Sequence, residues 1–285
     1  MTDGMLVFIV ASGLTLVLGV MGVVNFAHGG FFMLGAYLGY EFMRGHAVPT
    51  WLFVLLIIAA SIATAAVGLV CERVLFRRLY RLPEITSLLG TYALLLILEG
   101  AAQLIWGQNP RTQPQPNGLV RVITLAGAQI PRYDILVVVA GVITVAGLQL
   151  LIKRTDFGRQ LTAVAEDRFM AGLLGINVHR VFAVTFALGI FLAGLGGTLA
   201  GPTLSMVPDI AVTFILQAFA VVIVGGFGSI TGSLVAALAL GLLHAYLATY
   251  VPSLADFSLY LLMAAVLVIR PQGLLGSRAQ LGEAR

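Results

Sequence analysis

Apolar runs recur along almost the whole chain, at about 5–24, 29–43, 51–70, 85–106, 133–152, 181–204, 210–226, 230–249 and 257–269. A hydrocarbon layer about 30 Å thick is crossed by roughly 20 helical residues, each adding about 1.5 Å. The runs at 51–70, 85–106, 133–152 and 181–204 reach that length. Those at 29–43, 210–226 and 257–269 are shorter, and each fits a tilted span, a half-helix or a re-entrant segment. With 10% charged residues, 60% hydrophobic residues and a mean hydropathy of +1.03, the chain lacks the polar side chains that would cover a soluble surface. The expected fold is an all-α polytopic membrane protein. Residues 1–285 form one domain, with about eight or nine transmembrane or partly spanning helices and glycine-rich helix breaks.

The remaining charges sit in the connections and set the orientation. Segment 72–84 carries Arg73, Arg77, Arg78 and Arg81, and segment 153–180 carries Lys153, Arg154, Arg159, Arg168 and Arg180. Both are expected on the cytoplasmic side, where Lys and Arg accumulate. Segment 107–132 then lies outside, its Arg111, Arg121 and Arg132 softening the contrast without reversing it. Asn109-Pro110 and Gln113-Pro114-Gln115-Pro116-Asn117-Gly118 read as an exposed loop with turns. The tail from Arg270, with Arg278 and Arg285, is placed inside, so that nine crossings leave the N-terminus outside. A net charge of +4 scattered over short loops offers no contiguous basic face, which excludes nucleic-acid binding. The single cysteine, Cys71, excludes an intrachain disulfide and a CxxC metal pair. The first run has no basic leader or small-residue cleavage site and reads as a retained span.

Two apolar runs are interrupted at corresponding places near the chain's ends. One breaks at Gly22-Val23-Val24-Asn25-Phe26-Ala27-His28-Gly29-Gly30, the other at Gly225-Gly226-Phe227-Gly228-Ser229-Ile230-Thr231-Gly232. Paired glycine-interrupted segments point to a substrate path in transporters. Asn25, His28, Gly29, Gly225, Gly226 and Gly228 are therefore candidate pathway or helix-break residues. The competing reading is helix packing, since many of the 33 glycines would let membrane helices approach closely. Asn25 and His28 either line the path or satisfy backbone groups freed where a helix unwinds. Glu99, with Gln103 a turn later, is the acid deep in a clear span, and Gln217, His244 and Tyr246 are further polar candidates without assignable partners.

The 153–180 connection carries a helix of its own. Asp156 can cap it and it is expected to run to about Leu174, with Ala163, Val164, Met170, Ala171 and Leu174 on one face. Gly175 suits its C-terminal stop. Mixed charge and small residues (Ala165, Glu166, Asp167, Gly172) fit a groove on a protein; the alternative is a helix lying on lipid.

At this point the residues resemble a known family. Gly13–Tyr37, with Asn25-Phe26-Ala27-His28-Gly29 and Met33-Leu34-Gly35-Ala36-Tyr37, is similar to the opening signature of branched-chain amino acid ABC transporter permeases of the LivH type. Ala165-Glu166-Asp167 with Leu174-Gly175-Ile176-Asn177 resembles that family's coupling loop, a variant of the importer EAA motif. Thr185 to Gly201, Val224 to Ile230 and Arg270 to Gly276 extend the likeness to residues 5–276, while 107–132 adds nothing to it. The resemblance implies a permease in the bacterial cytoplasmic (inner) membrane that pairs with a second permease, homologous or identical. It implies two cytoplasmic ATP-binding subunits and a periplasmic substrate-binding protein as further partners. Ala165, Glu166, Asp167, Gly172, Leu174 and Gly175 would then form the coupling site for an ATPase subunit.

The chain itself has no GxxxxGK[ST] phosphate loop, so ATP would be bound by partners and no cofactor is expected here. His28, His46, His179 and His244 have no metal-ligand spacing, and Gly226-Phe227-Gly228-Ser229 is not a nucleophile elbow. An enzyme is not expected. The expected cargo is a branched-chain or other apolar amino acid moved by alternating access. Urea or a short amide carried by the same architecture, or a stand-alone secondary transporter, are the alternatives.

Overall fold

The structure, a computed structural model, describes residues 1–79, 82–125 and 128–276. Arg81, Arg278 and Arg285 lie outside the described residues. The helices are α1 (Thr2–Met21), α2 (Ala27–Met43), α3 (Thr50–Cys71), α4 (Arg77–Leu79), α5 (Glu84–Trp106), α6 (Arg132–Arg154), α7 (Asp156–Glu166), α8 (Arg168–Leu173), α9 (Val178–Ala200), α10 (Ile210–Gly225), α11 (Ile230–Tyr250) and α12 (Ser258–Ile269). Seven described stretches are long and apolar enough to cross a membrane: Thr2–Met21, Thr50–Leu79, Ile85–Trp106, Arg132–Arg154, Val178–Ala200, Ile230–Tyr250 and Pro252–Ile269. The shorter α2 and α10 complete the set of spanning or partly spanning helices that hydropathy predicts.

Contacts between the helices fix their directions. Val10 and Gly13 of α1 lie against Gly196 and Gly189 of α9, so these two run antiparallel. Gly35 and Gly39 of α2 lie against Gly194 and Thr198, so α2 runs parallel to α9. Thr64 and Gly68 of α3 face Gly194 and Ile190 in the opposite sense. Continued along the chain, successive spans alternate, and Thr2 and Ile269 fall at opposite ends of the bundle. The connections 72–79 and 153–180 share one end, called here the basic end; 107–132 lies at the other.

Close approach of helices explains many of the glycines. A Cβ on Gly13 would stand 2.5 Å from the Gly189 carbonyl oxygen, and one on Gly35 would stand 2.5 Å from the Gly194 Cα. Lipid is as apolar as Leu, so helices associate through such small-residue packing rather than by hiding from solvent. Burial separates the roles of the spans. In α1, 94% of the apolar window is buried, against 11% in the Pro252–Ile269 span, so α1 is the axis of the bundle and α12 its rim. A helix apolar on every side and wholly enclosed is what the uniform Met5–Met21 sequence specifies.

Two expectations about connections need correction. The 72–84 segment is not a loop at its start, because α3 continues through a π turn at Glu72–Phe76 into α4. Glu72 on this turn is buried, with Oε2 3.4 Å from Nε of Arg77, whereas Glu99 is only half-buried. Segment 107–132 is not simply exposed. It contains a hairpin, β1 (Val122–Leu125) against β2 (Ala128–Pro131), with Ile123 opposite Ile130. Gln113 is buried and donates to the sulfur of Met43, and Arg111 exchanges backbone bonds with Met206. Prolines deny this segment a helix, but the Arg111 and Asn117 amides still find carbonyl partners, at Met206 and Val48, in neighbouring connections.

Candidate coupling and translocation site

The 153–180 connection is two helices, not one. Thr155, rather than Asp156, caps α7: its hydroxyl accepts from the Gly158 amide at 3.0 Å, while Asp156 pairs with Arg159 in the first turn. The helix stops at Glu166 because Asp167 takes extended backbone angles. There its carboxylate accepts from the amides of Phe169 and Met170, both at 2.9 Å, and so starts α8. Asp and Asn are favoured at this position because the side chain satisfies amides that a first turn leaves open. Gly175 ends the unit at φ +85, as expected, and the Ile176 amide donates to the Ala171 carbonyl at 3.1 Å.

The break at Asp167 resets the helical phase, which undoes the single face expected from the sequence. Val164 and Ala171 are buried against the bundle, whereas Met170 and Leu174 point away with Phe169 and Leu173. Phe169 is 75% and Leu174 80% exposed, so α8 presents an apolar tip outside the span. Ala165, Glu166, Asp167, Gly172, Leu174 and Gly175 are all exposed on the same unit. Arg168 is the link inward. Its guanidinium donates to the Met21 carbonyl at 2.5 Å, at the last residue of α1, and lies 5.3 Å from the Phe182 ring centre.

That link ends at the first glycine break. Gly22 turns the chain in the left-handed region at φ +60, and Gly22 to Phe26 then lead back into the bundle. His28 reaches the carbonyl of Val10, halfway along α1, with Nε2 at 3.0 Å. α2 therefore begins at mid-depth and is a partial span. The second break, Gly226 to Ser229, lies at the basic end itself, between α10 and α11, where Ser229 caps α11 by accepting from Gly232 at 3.1 Å. The two breaks meet: a Cβ on Gly19 would lie 3.0 Å from Gly228 Cα. The tail closes over the second, with Leu274 donating to Val224 at 2.7 Å and Leu275 to Gly225 at 3.1 Å.

The chain matches the family described as "Branched-chain amino acid transport system / permease component" over residues 1–269. It is 32% identical to the high-affinity branched-chain amino acid transport system permease protein BraD of Pseudomonas aeruginosa, covering 97% of this chain and 93% of that protein. It is 31% identical to LivH of Escherichia coli K12, with 94% and 90% covered. LivM of the same organism matches at 28% identity over 95% of this chain and 68% of its own length. The chain belongs to this permease family. No solved structure matches it. As a member of a family of transport permeases it is a multi-pass membrane transport protein and not an enzyme.

Within the permease, the residues singled out by sequence fall into two groups. Gly225, Gly226 and Gly228 gather with Gly19 and Gly22 at the basic end, beside Arg168. Asn25, His28 and Gly29 lie deeper, at the start of α2, where Gly29 packs on Ala211 and Ile215. The freed backbone there is held by Thr91 of α5, not by Asn25 or His28. Its hydroxyl accepts from the Phe26 amide at 3.2 Å and donates toward Val24 and Leu88. The Asn25 amide and the His28 Nδ1 are buried without a hydrogen-bond partner among the described residues. Gln103 bonds Gln108 at 3.4 Å rather than Glu99.

Gln217 and His244, 27 positions apart in sequence, share one cavity of about 700 Å³ with Asp3, Asp209 and Thr213, at the end opposite the basic end. Tyr246 is absent from it and instead packs on Tyr250. Sequence reading missed Arg168 as a link, Thr91 as the brace and Phe169 as part of the exposed tip. A run of basic loop residues gives no sign of which one turns inward, so only Thr91, a hydroxyl within an apolar run, left a usable signal.

The cap geometry separates two roles for Asp167. Asp167→Asn should keep the cap and leave thermal stability within about 0.5 kcal/mol, since Asn serves equally well. Asp167→Ala should cost about 1 kcal/mol of local stability. Hydrogen exchange at Phe169 and Met170, two to three positions beyond the cap, reads the difference directly; equal protection in both variants would remove the cap from the account.

Proposed function

We propose that this permease is the membrane-spanning subunit of an ATP-driven importer for branched-chain or other apolar amino acids. It would pair with a second permease, homologous or identical, in the bacterial cytoplasmic membrane. Two cytoplasmic ATP-binding subunits would drive it and a periplasmic substrate-binding protein would deliver the cargo; ATP is bound by those partners and no cofactor is assigned to this chain. The names of BraD and LivH support the cargo. Matches to both LivH and LivM, two differently named permeases of one organism, support a pairing of related chains.

One observation carries the coupling role. The exposed tip of Phe169, Met170, Leu173 and Leu174 is joined through Arg168 to the end of α1, the buried axis of the bundle. A push on that tip by a closing ATPase would reach Met21, Gly22 and the mid-depth start of α2 without passing through a flexible linker. Alternating access then amounts to a tilt of α1 and its break against α10 and α11. The cavity holding Gln217 and His244 would be the approach from the opposite face. It lies within the size range of ligand clefts, about 300–1,000 Å³, and combines apolar walls with a few polar groups.

The test is reconstitution. The chain, its partner permease, the two ATPases and the binding protein are placed in proteoliposomes and ATP-dependent leucine uptake is measured. Uptake should require every component, and charge reversal at Glu166 with Asp167 should uncouple hydrolysis from uptake. Leucine uptake by this chain alone, without ATP, would instead establish a secondary transporter.

A further inference from the structure

A groove of about 620 Å³ runs between α3–α4 and the first half of α9, on the outer surface of the bundle. Its walls are apolar: Ala65 and Leu69 from α3, Ala187 and Phe191 from α9. Its mouth is basic. Arg73, Arg77, His179 and Arg180 all line it, with Asn177 at the cap of α9. Beside them, Glu72 is buried, with Oε2 3.4 Å from Nε of Arg77. Among the described residues, neither Arg73 nor Arg180 makes an ion pair. Among the described residues, three guanidinium groups against the enclosed Glu72 carboxylate leave the mouth with a surplus of positive charge, to which the positive end of the α9 dipole adds.

The length of the groove identifies what it fits. From Arg77 to Ala65 along α3 is about 18 Å at 1.5 Å per residue, and from Arg180 to Phe191 along α9 about 16 Å. Half of a hydrocarbon layer about 30 Å thick is about 15 Å. The groove is thus one leaflet deep, apolar where acyl chains lie and cationic where headgroups lie. Basic pockets between transmembrane helices at this level bind anionic headgroups. A soluble ATPase could touch the mouth but could not fill the trough toward Ala65 and Phe191.

We infer that the groove between α3–α4 and α9 is a binding site for an anionic phospholipid, with its phosphate among Arg73, Arg77 and Arg180 and one acyl chain along Ala65, Leu69, Ala187 and Phe191. The inference rests on bilayer residence alone and stands apart from the importer reading. A lipid there would brace α3 against α9, the helix that packs against α1, α2 and α3.

Native mass spectrometry of the delipidated full chain, titrated with dioleoyl-phosphatidylglycerol or dioleoyl-phosphatidylcholine, tests it. Phosphatidylglycerol should bind at least tenfold more tightly, and Arg73→Ala with Arg180→Ala should weaken it roughly thirtyfold while leaving phosphatidylcholine unchanged. Ala187→Phe, which fills the trough without touching charge, should weaken phosphatidylglycerol as well, and Arg159→Ala should change nothing. Equal binding of the two lipids, or unaltered binding in the double arginine variant, overturns the site. Glycerol phosphate competing as well as the whole lipid would show an anion site that ignores the trough, and also overturns it. Cross-linking from Ala65→Cys to a second permease chain in native membranes would make the groove a protein interface instead.

Discussion

Under the proposed importer function, Arg168→Ala is expected to leave ATP hydrolysis running in the reconstituted assembly while amino acid uptake falls about tenfold or more. The guanidinium is a charged donor to the Met21 carbonyl at 2.5 Å and lies over the Phe182 ring. Charged hydrogen bonds contribute about 1.5–3 kcal/mol and an exposed cation–π contact about 0.5–1 kcal/mol. Together these are enough to set whether α8 and α1 move as one body or slip. Arg168→Lys should give an intermediate loss, because an ammonium keeps the charge but not the planar fork. Parallel measurement of hydrolysis and uptake in proteoliposomes, on variants that elute with all subunits, reads the coupling ratio. An unchanged ratio in Arg168→Ala would remove this residue from the transmission path.

The second large effect is on the fold. Gly226→Val should destabilise the basic end by several kcal/mol. Gly226 sits at φ +99 and ψ 133, where a residue with a Cβ is strained by about 1–3 kcal/mol. The added carbon would also stand 2.5 Å from the Gly276 amide nitrogen, displacing the tail from its bonds to Val224 and Gly225. Thermal unfolding should shift downward, and limited proteolysis should newly cut near 270–276. Gly147→Ala is the contrasting variant: nothing lies within 4 Å of its would-be Cβ on α6. It should be neutral or stabilise by up to about 1 kcal/mol. A tail equally protected in Gly226→Val would mean that the clasp does not depend on this turn.

How far the sequence could be read depends on the kind of signal. Lipid leaves a backbone few choices, so the helical class and the approximate number of spans follow from apolar length alone. Gly175 as a stop and the glycine breaks as interruptions were legible because each rests on local backbone chemistry. The caps were less so: Thr155 and Asp156 are both good cap residues in adjacent positions, and only the register of α7 decides between them. Asp167 looked like one of several charges on a continuous helix, yet its short carboxylate served the amides of Phe169 and Met170, two and three residues on, better than the preceding turn.

The glycine breaks are where the two levels part. Sequence placed Gly22–Gly30 and Gly225–Gly232 as separate interruptions with similar compositions, and it identified 153–180 as an amphipathic connection. It could not show that Gly19 lies on Gly228, that Arg168 reaches Met21, or that Gln217 and His244 share a cavity. Those facts depend on which helices neighbour one another, and helix pairing in lipid is chosen by shape among many apolar faces of nearly equal hydropathy. Apolar length and backbone polarity therefore determined that the chain spans the membrane. Small-residue packing, which hydropathy does not encode, decided where the breaks, the inward arginine and the exposed tip of α8 come together.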